Sequence, residues 1–374
     1  MTGAAAAAAT TITTATAAAT TTAAGTTDVA RTTDAARTTD AATDTEMETA
    51  VVILNWNTRE YLERFLPGVI KSCRGMEAAV VVADNGSTDG SQQLLAERFP
   101  EVRCIALEEN YGFTGGYNRA LAEVEAEYYV LLNTDAEVAP DWLAVLRDWM
   151  KLHPRCGVCG PKLLDFSERG RFEYAGAAGG YVDRLGYPFC RGRVMHKVAR
   201  DRGQYDRPAQ VLWVSGACLM VRSSVWKQLG GLDDRFFAHM EEIDFCWRAQ
   251  LAGWTVEVVP KARVYHVGGG TLATDSPFKM KLNYRNNLLL LENNLPGTVG
   301  PVRARLLLGL RRLLDLGSAL VYRLQGKKDY ARSVLEAHRE FRKLRRGVHG
   351  KKAAVRVKGR KFFSIFVRYL IASL

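Results

Sequence analysis

The sequence of 374 residues lacks any long hydrophobic run. The longest nearly apolar stretch, 362–374, has 13 residues and includes Arg368, whereas a membrane-spanning helix needs about 20 apolar residues. A secretory signal is lacking too, and the seven cysteines, odd in number, lie scattered in apolar surroundings. We therefore predict no spanning helix, reduced thiols and a cytoplasmic location.

Signatures of common cofactor sites are also missing. Cys156 and Cys159 form a single CxxC without a second pair, and only His153 is near them, so zinc and redox functions are disfavoured. The glycine-rich segment 112–118, GFTGGYN, has neither the Lys-Ser/Thr ending of a P-loop nor the spacing of a dinucleotide fingerprint. Its glycines predict only that the backbone there comes close to another group.

Composition divides the chain into three parts. Residues 1–47 are almost entirely Ala, Thr, Asp and Arg, which cannot form a packed core, so we expect disorder there. Residues 48–295 have the apolar periodicity of a globular domain, and residues 296–374 form a basic region. From Gly300 onward there are 20 Lys or Arg against 4 Asp or Glu, whereas the rest of the chain has 31 against 36.

Strand-like and helix-like segments alternate in the first half of the globular part. Apolar and often β-branched runs predict buried strands at 50–54, 78–83, 103–107 and 128–132. Amphipathic stretches predict the intervening helices at 59–72, 91–99 and 118–124. Such alternation is typical of right-handed crossovers and parallel pairing, so we predict an α/β fold with a doubly wound, nucleotide-binding half.

Carboxylates stand where two of these strands end. Asp84 follows the second strand in DNGSTDGS, and Asp135 follows the fourth in NTDAEV. Open α/β sheets bind ligands at the carboxyl ends of their strands, and a carboxylate there can accept a hydrogen bond from a pyrimidine imide or a ribose hydroxyl. Each aspartate could equally cap its own turn, and the local sequence leaves both interpretations open.

The pattern after these strands is less regular. It predicts a helix at 142–150 and strand segments at 156–164, 212–221, 255–259 and 262–267. Residues 172–198, rich in Gly, Arg and Tyr, predict a flexible loop. The loop is interpreted either as a cover for a ligand that brings Arg191 or Arg193 to a phosphate, or as a solvated basic loop.

An acidic cluster opens a further predicted helix. Glu241, Glu242 and Asp244 follow the aromatic pair Phe236 and Phe237. Carboxylates in a first helical turn are favoured by the helix dipole, which is the structural interpretation. Aromatic neighbours also predict a partly apolar pocket, which raises a carboxylate pKa toward the working range of a general base.

Four motifs together resemble a known family. The runs VVILNWNTREYLERFL, VVVADNGSTDGS, NYGFTGGYNRA and YYVLLNTDAEV are similar to those of the inverting family 2 glycosyltransferases, and most similar to their rhamnosyltransferase-like branch in bacterial polysaccharide biosynthesis. The resemblance implies a GT-A fold, a Rossmann-like mixed sheet flanked by helices, here followed by a basic helical tail. It covers about residues 49–292.

The resemblance also implies roles for individual residues. Asp84 would bind the donor's base, and Asp135 with His266 of VYHVGGGT would bind Mn²⁺ or Mg²⁺ on the diphosphate. Glu242 would be the general base, with Glu241 as the neighbour to test next and Asp244 in support. The expected donor-binding set also includes Asn55, Asn57, Asn118, Asn133, Arg248 and Arg285. Asn133 stands where the family's metal motif usually has a first aspartate.

The implied reaction is a single displacement that inverts the sugar's configuration. A nucleoside-diphosphate-sugar, with rhamnose as the sugar suggested by the branch, would donate to a hydroxyl of a glycan or polyprenyl-diphosphate-linked acceptor. A sugar nucleotidyltransferase is the alternative enzyme, but it should carry a Gly-rich basic loop after the first strand, where this chain has Asn55-Trp56-Asn57-Thr58. A non-catalytic glycan- or nucleic-acid-binding protein would need none of these acidic motifs.

The basic tail predicts membrane contact. Its apolar runs at 306–316 and 364–374 are interleaved with Arg and Lys, which is typical of helices that lie on anionic membranes. We therefore expect a peripheral protein on the inner face of the cytoplasmic membrane and no nucleic-acid partner. Nucleic-acid binding and a solvated helical hairpin are the competing interpretations.

Overall fold

The computed structural model describes residues 47–194, 197–268, 276–361 and 363–365. The segment predicted to be disordered, apart from residue 47, lies outside these residues, and so do Gly269, Gly270 and most of the apolar stretch 362–374. The described residues belong to one compact unit.

A mixed sheet of nine strands forms the centre of the described part, in the order β11-β13-β6-β12-β4-β1-β2-β3 with β5 paired to β13. The strands and two small hairpins are β1 Thr49–Asn55, β2 Ala78–Asn85, β3 Arg103–Leu107, β4 Tyr128–Asn133, β5 Ala136–Val138, β6 Cys156–Asp165, β7 Gly180–Val182, β8 Pro188–Cys190, β9 Arg193–Val194, β10 Lys197–Val198, β11 Ala209–Gln210, β12 Cys218–Arg222 and β13 Thr255–His266. The predicted parallel pairing of β1 with β2 and β4, and of β2 with β3, is confirmed. Strand β12 is antiparallel to β4 and β6, which makes the sheet mixed.

Helices cover both faces of the sheet. They are α1 Arg59–Cys73, α2 Ser91–Arg98, α3 Gly112–Ala122, α4 Trp142–Leu152, α5 Ser223–Leu229, α6 Glu241–Leu251, α7 Pro277–Val299, α8 Pro301–Leu324 and α9 Lys328–Leu344. Alternate residues of β1 belong to two different core clusters, Val52 to one and Val51 to the other. The strand is apolar throughout because both of its faces are buried.

Three predicted boundaries differ from the structure. Helix α3 begins at Gly112 rather than at residue 118. A Cβ at Gly112 would lie 2.5 Å from the Phe237 ring, so the close approach of that ring requires glycine at this position. The predicted strand 212–221 is a strand only from Cys218 to Arg222. The segments 255–259 and 262–267 are one strand, β13, with a register shift between Val259 and Arg263.

The carboxyl-terminal helices pack on one another and on elements that adjoin the sheet. The predicted border between 295 and 296 falls inside α7. The buried carboxylate of Glu292 accepts hydrogen bonds from the backbone N–H groups of Arg346 and Gly347, and Arg285 on α7 pairs with Glu340 on α9 at 3.0 Å. No helix among the described residues is long and apolar enough to cross a membrane.

Candidate active site at the carboxyl ends of the strands

Asp84 is held at the end of β2 by three donors. Asn55 Nδ2 at the end of β1 donates to its Oδ1 at 2.7 Å, and Ser87 N and Gln92 Nε2 donate to its Oδ2 at 3.1 and 2.7 Å. Parallel register explains the contact with Asn55, because Asn55 pairs directly with Asp84. The Asp84 side chain is buried, and both of its oxygens already accept hydrogen bonds from the protein.

Asp135 and His266 are brought together by the short antiparallel pairing of β5 with β13. Strand β5 begins at Ala136, which pairs with His266 of β13, and the Asp135 carbonyl accepts from Val267 N at 3.0 Å. His266 Nε2 consequently lies 3.0 Å from Asp135 Oδ1 and 3.3 Å from Asn133 Nδ2. Gly268 N donates to Asp135 Oδ2 at 3.2 Å. Asn133, Asp135 and His266 are therefore neighbours in the fold.

The charges in this cluster stabilise one another. Burial alone would raise the pKa of Asp135, but the contact with His266 and the hydrogen bond from Gly268 outweigh it and hold that pKa below its ordinary value. Burial alone would lower the pKa of His266, yet the carboxylates of Asp135 and Glu173 raise it to about 10. Asp135 therefore stays ionised at neutral pH.

Glu173 is a member of this cluster that the sequence did not indicate. Its Oε1 lies 3.4 Å from His266 Nδ1, an electrostatic contact that does not meet the geometry of a hydrogen bond, and its Oε2 accepts from Ala175 N at 2.7 Å. The side chain is buried although it belongs to the segment 172–198 predicted as a loop. His266 thus has a carboxylate on each ring nitrogen, an arrangement that fixes the ring of a metal-binding histidine.

A second acidic site lies at the start of α6. The turn before this helix has three residues with positive φ, Phe237 at 63°, His239 at 72° and Met240 at 71°, a conformation that costs energy for residues other than glycine. Phe237 O accepts from Phe113 N at 2.7 Å and from Thr114 N at 3.2 Å, so the first turn of α3 holds the turn in place. The close approach predicted for the glycine-rich segment is this contact.

Glu241 and Glu242 follow that turn, and each has one carboxylate oxygen that no hydrogen-bond donor of the described residues reaches. Oε2 of each is buried without a hydrogen-bond partner. Burial raises the pKa of Glu242 to about 7, while backbone N–H groups at the helix start oppose the rise. Burial and the neighbouring Glu242 raise the pKa of Glu241 well above its ordinary value. Glu241 is only 4% exposed, whereas Glu242 is partly accessible, so Glu242 is the one that a substrate can reach.

Two predicted donor-binding arginines are instead part of the scaffold. Arg285 Nη2 donates to Phe236 O at 2.7 Å, and its neighbour Asn286 donates through Nδ2 to the carbonyls of Ala238 and His239, both at 2.7 Å. These bonds hold the strained turn before Glu241. Arg248 donates to the carbonyl oxygens of Leu229 and Gly231 and through Nε to Asp244 at 2.6 Å.

Three further predicted site residues, Asp244, Asn118 and Asn57, form hydrogen bonds with other parts of the protein. Asp244 is fully buried and accepts from Asn293 and Asn294 as well as Arg248, so it supports α6 rather than facing substrate. Asn118 donates through Nδ2 to Leu232 O and Asp234 Oδ1, and its Oδ1 accepts from Leu232 N. Asn57 lies exposed, and its Oδ1 accepts from Thr88 N at 2.8 Å.

The residues present fit a divalent cation held partly by substrate. Among the described residues, no three His, Cys, Asp or Glu side chains form a cage for a metal ion. Asp135 Oδ1 and His266 Nε2 lie close enough to share one ion as a mixed oxygen and nitrogen pair, and His266 would release its Nε2 proton when the ion binds. Ions bound with substrate phosphates typically take only one or two protein ligands, so this pair suffices.

Comparison of the coordinates with solved structures defines the class. The fold matches Staphylococcus aureus TarS 1–349 in complex with UDP-GlcNAc at a TM-score of 0.52 and 16% identity, over 79% of this chain and 82% of that one. It matches GalNAc-T7, solved with UDP, GalNAc and Mn²⁺, at a TM-score of 0.50 and 19% identity. This match covers 65% of this chain and 48% of GalNAc-T7. At such identity only the fold is comparable. The predicted GT-A type mixed sheet flanked by helices is confirmed.

Sequence comparison identifies the family. The model of "Glycosyl transferase family 2" matches residues 50–230. The chain is 29% identical over 299 residues to N-acetylglucosaminyl-diphospho-decaprenol L-rhamnosyltransferase of Mycobacterium tuberculosis, across 76% of this chain and 96% of that enzyme. Residues 50–230 therefore match glycosyltransferase family 2, and the chain is a glycosyltransferase, as the motifs predicted.

Proposed function

We propose that the chain transfers a sugar with inversion from a nucleoside-diphosphate-sugar to a hydroxyl of a polyprenyl-diphosphate-linked acceptor. The observation that carries the proposal is Glu242, a half-buried carboxylate at a strained helix start whose pKa burial raises to about 7. A base with that pKa is ionised in half of the molecules at neutral pH and still takes a proton readily. Rhamnose is the proposed sugar because the mycobacterial relative is a rhamnosyltransferase.

In the reaction, Glu242 accepts the proton of the acceptor hydroxyl as that oxygen forms its bond to the anomeric carbon. The bond from that carbon to the diphosphate breaks on the opposite side. Asn55 and Asp84 orient the nucleoside at the ends of β1 and β2, once Gln92 yields the second Asp84 oxygen. Asp135 and His266 would hold Mn²⁺ or Mg²⁺, which supplies positive charge for the leaving diphosphate.

Contact with an anionic membrane is part of the proposal, because α8 has an exposed apolar face. Its apolar side chains are 58–79% exposed and lie at helical spacing on one face, namely Val302, Leu306, Leu313, Leu320 and Leu324. Arg303, Arg305, Arg312 and Arg323 flank that face. Apolar side chains bordered by arginine are typical of helices that lie in the headgroup region.

The activity is tested with a panel of nucleotide sugars that includes dTDP-rhamnose and the UDP sugars. A polyprenyl-diphosphate-linked sugar serves as acceptor, and release of nucleoside diphosphate and formation of glycosylated lipid are measured. We expect one donor to give product in the presence of Mn²⁺ or Mg²⁺ and Glu242→Gln to give none. Turnover by Glu242→Gln equal to that of the wild type would overturn the assignment of the base.

Membrane contact is tested by flotation with anionic and with neutral liposomes. We expect the wild type to float with anionic vesicles and the double substitution Leu313→Gln, Leu320→Gln to remain at the bottom. Leu152→Gln is the matched control, because Leu152 on α4 is 76% exposed and distant in sequence from α8. Equal flotation of the double variant would show that this face does not bind the membrane.

A further inference from the structure

A cavity of about 600 Å³ lies beside the active site, between the hairpin β7–β8 and the carboxyl-terminal segment near Lys361. That volume is within the usual range of sites for small organic ligands. Aromatic rings form part of its wall, namely Tyr181, Phe189, Tyr205 and Phe363. The charged side chains among its described lining residues are all basic, namely Arg191, Arg193, Lys197 and Lys361.

Two of these cations rest on aromatic faces rather than on carboxylates. Lys361 Nζ lies 4.1 Å from the ring centroid of Tyr181, and Arg191 Cζ lies 4.5 Å from that of Tyr205. Within the described part of the chain, neither Arg191 nor Lys361 forms an ion pair with Asp or Glu. A ring face holds a cation in position without neutralising it. The cavity therefore combines an apolar wall with two cations, Arg191 and Lys361, that no carboxylate of the described residues pairs with.

The cavity adjoins the Asp135–His266 cluster on one side. Its lining residue Arg193 has Cζ 4.1 Å from the ring centroid of Tyr174, and the preceding residue, Glu173, has Oε1 3.4 Å from His266 Nδ1. The hairpin that carries Cys190 touches α8 on the other side, where Arg311 Cζ lies 3.7 Å from the ring centroid of Tyr187. The cavity thus lies between that cluster and the helix that bears the exposed apolar face.

We propose that this cavity binds the diphosphate and the first isoprene units of the lipid-linked acceptor, with Arg191 and Lys361 on the phosphates and the aromatic wall on the chain. The inference rests on the proposed function, which supplies such an acceptor. A molecule that is anionic at one end and apolar at the other matches both properties of the lining. Its position between the Asp135–His266 cluster and α8 would lead the acceptor sugar toward the active site while the lipid remains in the membrane.

The test uses the full chain and farnesyl diphosphate, a short prenyl diphosphate, as the probe. Binding is measured by calorimetry for the wild type, Arg191→Gln, Lys361→Gln and the control Lys261→Gln, an exposed lysine of β13 outside the cavity lining. We expect each cavity variant to bind about tenfold more weakly, as for the loss of one charged contact, and the control to bind as the wild type does. Inorganic pyrophosphate and farnesol should each bind much more weakly than farnesyl diphosphate.

Equal binding of farnesyl diphosphate by the wild type and both cavity variants would overturn the proposal. Pyrophosphate binding as tight as that of farnesyl diphosphate would also overturn it, because the site would then recognise a free anion. Thermal unfolding excludes misfolded variants, and Arg191→Lys, which keeps the charge, should recover most of the affinity. If the wild type turns over a donor but the two cavity variants bind the probe as the wild type does, only the cavity proposal is refuted. If the cavity variants lose probe binding but the wild type turns over no donor, the cavity proposal is supported and the proposed function is refuted.

Discussion

Two acidic sites of this glycosyltransferase differ in how their carboxylates are paired. Asp135 accepts a hydrogen bond from Gly268 and lies against His266, and its pKa is held below the ordinary value. Glu242 has a buried oxygen without a partner, and burial raises its pKa to about 7. Carboxylates whose environments separate their pKa values in this way have different chemical tasks. The ionised Asp135 suits a cation, and the proton-accepting Glu242 suits a base.

The largest effect is expected from removing the base. Glu242→Gln should lower kcat by about a thousandfold, because an amide cannot accept the proton, while the affinity for the nucleotide donor stays unchanged. Glu241→Gln is the matched comparison and should retain most of kcat, since Glu241 is buried. Steady-state kinetics and donor binding by calorimetry are the measurements. If Glu241→Gln were the inactive variant, the two assignments would have to be exchanged.

Removing a proposed metal ligand should have the next largest effect. His266→Ala leaves Asp135 as the sole protein ligand, so we expect the affinity for Mn²⁺ in the presence of nucleotide to fall by at least about a hundredfold. Calorimetry or electron paramagnetic resonance of Mn²⁺ measures it, with the exposed His349→Ala as control. Metal-dependent activity that survives His266→Ala intact would contradict the pairing of Asp135 with His266.

A smaller effect is expected from Glu173, which acts through His266. Glu173→Gln keeps the size of the side chain but removes the charge beside Nδ1, so the affinity for Mn²⁺ should fall by about tenfold. The exposed Glu168→Gln, shortly before Glu173 in the chain, is the control. The same Mn²⁺ affinity in Glu173→Gln and the wild type would mean that Glu173 does not position the histidine.

The pH profile should report Glu242 rather than Asp135. The base works only when deprotonated, so kcat/KM should fall tenfold per unit as the pH drops below about 7. Asp135, with its lowered pKa, stays ionised across that range and adds no second step. Kinetics from about pH 5.5 to pH 8.5 check this. A profile flat down to about pH 5 would be at odds with a raised pKa at Glu242.

The smallest effect is expected at Asn286, which supports the turn before Glu241. Asn286→Ala removes the donors to the carbonyls of Ala238 and His239 and should lower the free energy of unfolding by about 2 kcal/mol. It should also lower kcat severalfold, because the strained turn relaxes. Denaturant unfolding measures the first effect, with the less buried Asn283→Ala on the same helix as control. An unchanged free energy of unfolding would indicate that the turn is stable without the hydrogen bonds from Asn286.

The parts of the site that follow strand ends were predictable from the sequence. The carboxyl ends of parallel strands meet at one edge of the sheet, so Asn55 beside Asp84 follows from the strand pattern alone. Glu173 was not predictable, because it belongs to a segment without periodicity that becomes buried only when it packs beside β13. Arg285 and Arg248 were expected in the donor-binding set, and the structure shows them donating to nearby carbonyls and carboxylates of the protein, which the sequence did not indicate.

The sequence by itself determined the alternation of strands and helices, the family and the order of the acidic motifs, because apolar periodicity and residue type are local properties. Only the tertiary structure decided which of those residues meet. The pairing of β5 with β13 brings His266 to Asp135 across 131 residues of chain, and α3 and α7 hold the turn that exposes Glu242 and buries Glu241. Contacts between distant segments depend on strand register and helix packing, which no local pattern contains.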